Sequence, residues 1–296
     1  MRPTLPAAAR AAVAAAALLA AAATPAAAVV LLPTGLGVSD PPGGEEADPS
    51  RVTDDLLLDR LEFGTTVFAD GDSFSPAAAF RVLTRRENIN AEWGDDDDAR
   101  DGDPDPFVKA GFDPALQETT DPAIQDAALL QAFNSLSLSE MSDGESGGFA
   151  FRLLLADGLT DDRPGLLDDT PELILFERGM NDVFSLRLIL GGGVDDPILS
   201  DPLEIDSADF LDTGLSIDTT EIDSAQPLGI GGFDLDAFAI GDDAVVYGLE
   251  IDAPSDGPDL NGLFLSAEDP ARFRPALGFE GAAPSAAVPA PPAILG

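Results

Sequence analysis

The chain has neither cysteine nor histidine, and its 296 residues include one lysine (Lys109), one tryptophan (Trp93) and one tyrosine (Tyr247). Without cysteine there are no disulfides, thiolate nucleophiles, iron–sulfur clusters or thiolate zinc sites. Without histidine there is no Ser-His-Asp triad, no imidazole base and no histidine-ligated metal. What remains for chemistry is carboxylates, hydroxyls, arginines and those single residues, which fits hard-cation binding or two-carboxylate glycosidase chemistry. Positive charge is scarce too: 15 Lys plus Arg stand against 55 Asp plus Glu, a formal net charge of -40. Such a surface repels nucleic acid and anionic headgroups and favours cations, basic partners or plain hydration, so no nucleic-acid partner is expected. The excess of aspartate equally fits a saline habitat in which hydrated carboxylates maintain solubility.

With 45% hydrophobic and 24% charged residues the chain can bury a core as one large domain. Arg2 and Arg10 precede an Ala/Leu run over residues 11–23, followed by Thr24, Pro25 and the small residues Ala26, Ala27 and Ala28. Residues 1–28 therefore read as a secretory signal peptide cut after Ala28, the alternative being a retained membrane anchor. Residues 29–50, with Pro33, Pro41, Pro42, Gly43 and Gly44, read as an extended lead-in. Residues 51–278 form the expected single domain, and 279–296 an Ala/Pro-rich tether.

Within the domain, short apolar runs separated by Gly, Asp and Pro turns predict a mainly β fold. The expectation is a jelly-roll-like antiparallel β-sandwich with one packed α-helix over about residues 121–134. That helix would be capped by Asp121, opened by Pro122, and striped by Ile124, Ala127, Ala128, Leu130 and Phe133. The central stretch is PELILFERGMNDVFSLRLIL, residues 171–190. Its first run, residues 173–176, reads as buried on both sides. Its second alternates Phe184, Leu186, Leu188 and Leu190 with Ser185 and Arg187, and a turn at residues 179–182 makes the two a hairpin. Residues 88–106 read as a loop, being acidic and proline-containing toward their end, and strands restart at Phe149 after a glycine-rich turn over residues 142–148.

Three groups of residues are candidates for chemistry. Asp101, Asp103 and Asp105 match the first three ligand positions of a calcium loop, but Pro106 replaces the glycine and Phe112 the bidentate glutamate. An irregular Ca2+ site and a solvated acidic loop are the alternatives. Glu177, Arg178, Asn181 and Asp182 gather at the FERGMND turn, and Asp256, Asp259 and Asn261 join them if both turns share a sandwich rim. Such a rim would make a calcium or glycan contact, or Arg178 would pair with a carboxylate while Asn181 and Asp182 simply form the turn. A two-carboxylate glycosidase is the third reading. It needs paired acids in an aromatic-lined groove, for which Trp93 and Tyr247 are a thin supply.

Val288, Pro289, Ala290 and Pro291 near the end of the chain resemble the VPxP opening of C-terminal sorting signals of the PEP-CTERM and VPLPA-CTERM type. In the middle, FVKAGFDP, DPAIQDAALLQAF, PELILFERGMNDVFSLRLIL and DGPDLNGLFLSAEDP, between Phe107 and Pro270, resemble the exosortase-dependent surface proteins. The resemblance implies export and delivery to the outer surface of a Gram-negative bacterium, with the export machinery and an exosortase as partners. Extracellular polysaccharide is a further expected partner. It implies a non-catalytic role in the cell surface or matrix, with no required cofactor. Family sorting signals continue into a hydrophobic helix and an arginine cluster, so the expectation is a sequence truncated before its anchor, or an anchor that is missing. Membrane contact would come only through that segment. The alternative function is a calcium-dependent carbohydrate-binding module.

Overall fold

The computed structural model describes residues 30–39, 57–69, 74–75, 77–92, 119–122, 124–160, 170–193, 195–217, 225–241, 243–255, 257–265 and 274–275. The first strands are β1 (Val30–Leu31), β2 (Gly35–Ser39), β3 (Leu57–Phe63), β4 (Thr66–Ala69), β5 (Phe74–Ser75), β6 (Ala77–Thr84) and β7 (Ile89–Glu92). The helix α1 (Gln125–Phe133) follows, then β8 (Met141–Gly144), β9 (Phe149–Leu159), β10 (Leu173–Arg178), β11 (Phe184–Gly192), β12 (Pro197–Leu199) and β13 (Leu203–Ile205). The last are β14 (Leu211–Ile217), β15 (Gln226–Phe233), β16 (Val246–Ala253), β17 (Asp259–Leu265) and β18 (Arg274–Pro275).

These strands form a mainly β, antiparallel sandwich with one packed helix, as the strand pattern predicts. An eight-stranded sheet runs β1-β15-β10-β17-β8-β7, with β14 on β15 and β5 on β17. A seven-stranded sheet runs β12-β11-β16-β9-β18, with β13 on β11 and β6 on β9. The core between them joins Leu173 and Leu175 of β10 to Phe184, Leu186 and Leu188 of β11, Leu249 and Ile251 of β16, and Phe149, Phe151 and Leu153 of β9. Alternation along each strand sends every second side chain into this layer. The helix closes one flank, packing on β6, β7, β8 and β17. Phe133 is the wedge, with ring centroids 5.6 Å from Phe80 and 5.7 Å from Phe151.

A third layer lies outside the eight-stranded sheet. The small sheet β2-β3-β4 presents Leu58, Leu61, Phe63 and Phe68 to Ile174 and Phe176 of β10, Leu228 and Ile230 of β15, and Met141 of β8. All six residues of β10 are consequently buried, in agreement with the reading of residues 173–176 as covered on both sides.

Several local expectations are overturned. β10 and β11 are not a hairpin: β10 pairs with β15 and β17, and β11 with β12, β13 and β16, so residues 179–183 form a corner that carries the chain from one large sheet to the other. A strand buried on both faces needs hydrogen-bonding neighbours on both edges, and β11 faces it across the core instead. Residues 89–92, read as loop, are β7, and residues 141–144, read in part as turn, are β8; all of β7 is buried. Part of the lead-in is also strand, with β1 on β15 and β2 on β3. The helix begins at Gln125; Asp121 and Pro122 stand in a turn before it, where the Asp121 carbonyl accepts from the Ile124 and Gln125 N–H groups at 3.0 and 2.8 Å. Its buried face is Gln125, Ala128, Leu129, Ala132 and Phe133, rotated from the expected stripe, because Gln125 reaches inward to the carbonyls of Arg86 and Ile89 at 2.7 and 2.6 Å.

β15 had no strand signature because Gly229, Gly231 and Gly232 interrupt it. The glycines admit close neighbours: a Cβ on Gly231 would stand 2.7 Å from the Asp209 carbonyl oxygen, and one on Gly232 2.7 Å from that of Leu31. Neither carbonyl can rotate away as a side-chain tip would. Gly231→Ala should therefore destabilise the chain by about 1–3 kcal/mol, read as a lower midpoint in urea; an unchanged midpoint would show that the layers are not this tightly apposed.

Candidate functional site

The antiparallel register places Arg178 of β10 opposite Asp259 of β17, and Glu177 opposite Leu260. Leu260 is in turn opposite Ser142 of β8, whose neighbour Asp143 is opposite Asn90 of β7. Side chains of one parity share a face, so Arg178 and its partners lie on the outer face, at one end of the apolar patch under the small sheet. Arg178 is 3% exposed and meets three carboxylates there. Its Nε and Nη2 donate to Asp259 Oδ2 at 3.0 and 2.8 Å, Nη1 to Glu92 Oε2 at 2.8 Å, and Nη2 to Asp143 Oδ1 at 2.7 Å. The other oxygen of Asp259 accepts the Gly144 N–H at 2.8 Å. Burial works against the charged guanidinium, but Asp259, Glu92 and Asp143 more than compensate, so its pKa lies above the usual arginine value. The planar fork thus ties β10, β17, β8 and β7 together laterally.

Asn261 is equally occupied. Its Nδ2 donates to the carbonyls of Ser137 and Glu140 at 2.8 and 2.7 Å, holding the segment before β8 against β17. Its Oδ1 is buried with no hydrogen-bond partner.

Glu177 points the other way, into the core side of the corner, and is 1% exposed. Gly229 lies opposite it on β15 and leaves room for Met180, whose Cγ a Cβ there would meet at 2.6 Å. The corner turns sharply, with φ of 95° at Gly179 and 50° at Met180. Neither carboxyl oxygen of Glu177 has a hydrogen-bond partner of normal geometry; the Met180 and Asn181 N–H groups approach it closely enough to favour the carboxylate slightly. Desolvation dominates, reinforced by the charges of Asp182 and Asp259, and pushes its pKa from 4.5 up to about 9. Burial therefore holds Glu177 as a neutral acid at pH 7.

Of the other expected site residues, Asn181 is exposed and Asp182 half-buried on the same corner. Asp101, Asp103, Asp105, Asp256, Val288, Pro289 and Pro291 lie outside the described residues. Glu92 and Asp143 reach Arg178 from segments whose composition reads as loop or turn, so the sequence carries no signal for this pairing. Among the described residues no group of three or more Asp, Glu, His or Cys gathers as a metal cage. No protein-family model matches the chain, and neither do the curated proteins or the solved structures.

Two outcomes test this geometry. Arg178→Met leaves three carboxylates buried around an apolar side chain and should cost about 3–5 kcal/mol in chemical denaturation; a loss below about 1 kcal/mol would mean that the cluster is solvated. For Glu177, the folded chain holds one more proton than the unfolded chain between pH 4.5 and about 9. The raised pKa means that its contribution to stability is complete below pH 4.5 and is lost as pH rises to about 9. Glu177→Gln should gain on the parent by about 1.4 kcal/mol per pH unit across that window, about 3 kcal/mol at pH 7. A pH-independent difference between the two would refute a buried, titrating Glu177.

Proposed function

We propose that this chain is an exported, non-catalytic protein of the cell surface or extracellular matrix, delivered to the outside of a Gram-negative bacterium and presenting loops on a rigid sandwich. The observation that carries the reading is where the polar residues of the sandwich end are directed. Arg178 is engaged by Asp259, Glu92 and Asp143, and Asn261 by two backbone carbonyls, so these groups hold strands together and do not converge on a cleft. The signal-like residues 1–28, the VPAP segment and the acidic composition support the address, and the acidic, well-hydrated surface suits a hydrated matrix of extracellular polysaccharide.

A calcium-dependent carbohydrate-binding module is the second reading, favoured by the oxygen-bearing side chains of the corner at residues 177–182. Glycan-array binding that disappears in EDTA would select it over a purely structural role. For the address itself, the decisive experiment is amino-terminal sequencing of the protein recovered from the producing cells, with protease shaving of intact cells. The expected result is a mature chain starting at Val29 that external protease removes. An intact Met1 terminus on a protease-protected protein would contradict export.

A further inference from the structure

Asn261 and Gly262 are the one Asn-Gly pair in the sequence. This is the most labile of the asparagine dipeptides, because glycine puts no Cβ in the way of its own backbone nitrogen when that nitrogen attacks the preceding side-chain amide. Packing nevertheless dictates both residues. The Asn261 Nδ2 donates to the Ser137 and Glu140 carbonyls at 2.8 and 2.7 Å, a task that needs two donors on one atom. Gly262 is opposite Leu175 of β10, and a Cβ there would stand 2.9 Å from Leu175 Cδ2 and 3.2 Å from Phe133 Cε1, both buried in the main core.

We propose that Asn261-Gly262 is a deamidation site gated by the fold, inert in the folded chain and reactive in the unfolded one, and that its reaction removes the ability to refold. In the unfolded chain the Gly262 backbone nitrogen attacks Asn261 Cγ; a C–N bond forms, the Cγ–Nδ2 bond breaks and Nδ2 leaves as ammonia. The cyclic imide then takes up one water and opens at either carbonyl, giving aspartate or isoaspartate at position 261. In the folded chain Asn261 is 1% exposed and its amide nitrogen is held by two carbonyls. Turning the Gly262 nitrogen onto Cγ also requires rotating the Asn261 backbone out of the extended conformation that pairs it with Phe176 of β10. Neither product fits the site. The Oδ1 of Asn261 is already buried without a partner, so the surroundings offer no donor to a carboxylate, whose second oxygen would face the two carbonyl oxygens that Nδ2 now satisfies. Isoaspartate adds one carbon to the main chain as well, which throws β17 out of register with β10.

The test keeps the full chain at mildly alkaline pH in two portions, one in buffer and one unfolded in guanidinium chloride, and follows residue 261 by peptide mapping. Asn181, exposed in the folded chain, reports how far the denaturant itself alters the chemistry. Residue 261 should react at least about 1,000-fold more slowly in the folded portion, since reaction there passes through the small fraction of open chains. When the denaturant is removed, the fraction of chains that fails to refold should rise in step with the fraction modified at residue 261. Asn261→Asp, made directly, should lower the urea midpoint or prevent folding. A slowing of less than about 10-fold in the folded chain would overturn the gate. Full refolding of chains modified at residue 261, or a parental midpoint in Asn261→Asp, would overturn the loss of refolding.

Discussion

A strand enclosed on both faces is the constraint on which this fold depends. β10 has partner strands on both edges, the seven-stranded sheet across the main core and the small β2-β3-β4 sheet across the other side. Antiparallel sheets commonly leave one face to water, and closing both requires a second apolar layer. Here that layer is short: Leu58, Leu61, Phe63 and Phe68 over Ile174, Phe176, Leu228 and Ile230. Burying a Phe or Leu side chain contributes about 1.5–3 kcal/mol relative to leaving it exposed, so even this small patch is a large fraction of a marginal net stability.

The same enclosure explains why charged residues are buried at the end of β10. Glu177 and Arg178 continue the strand in both directions of its alternation, one toward the core and one toward the outer layer, and neither reaches water. Arg178 resolves this with three carboxylates contributed by three other strands, an arrangement costly to break by removing one member, although apolar replacement of a whole buried ion cluster is often neutral. Glu177 resolves it by holding its proton. One dipeptide therefore combines a fixed lateral tie with an ionisable group beside a turn, and that turn carries the chain between the two large sheets.

Much of this was legible in the residues. Period-two apolar patterning identified most strands, and the doubly apolar character of residues 173–176 correctly implied cover on both sides. What patterning does not carry is pairing: β10 and β11 look like a hairpin because hairpins and sheet-switching corners use the same glycine and asparagine turn chemistry. β15 was hidden because its glycines answer to neighbouring backbone and not to strand propensity. β7 and β8 were hidden because Asn90, Glu92, Ser142 and Asp143 are polar and yet buried, their partners being distant in sequence. At the candidate site, Arg178 with Asp259 could be anticipated from the two turns. Glu92 and Asp143 could not, since only the register across β17, β8 and β7 brings them within reach.

Native-state hydrogen exchange tests the central claim most directly. If β10 is enclosed on both faces and locked at its end by Arg178, the amides of residues 173–178 exchange only through global unfolding, with a free energy equal to that from denaturant, while those of the edge strand β12 exchange through smaller openings. Exchange of the β10 amides at the faster rate of β12 would contradict the account, because a strand held on two edges and two faces has no local route to water.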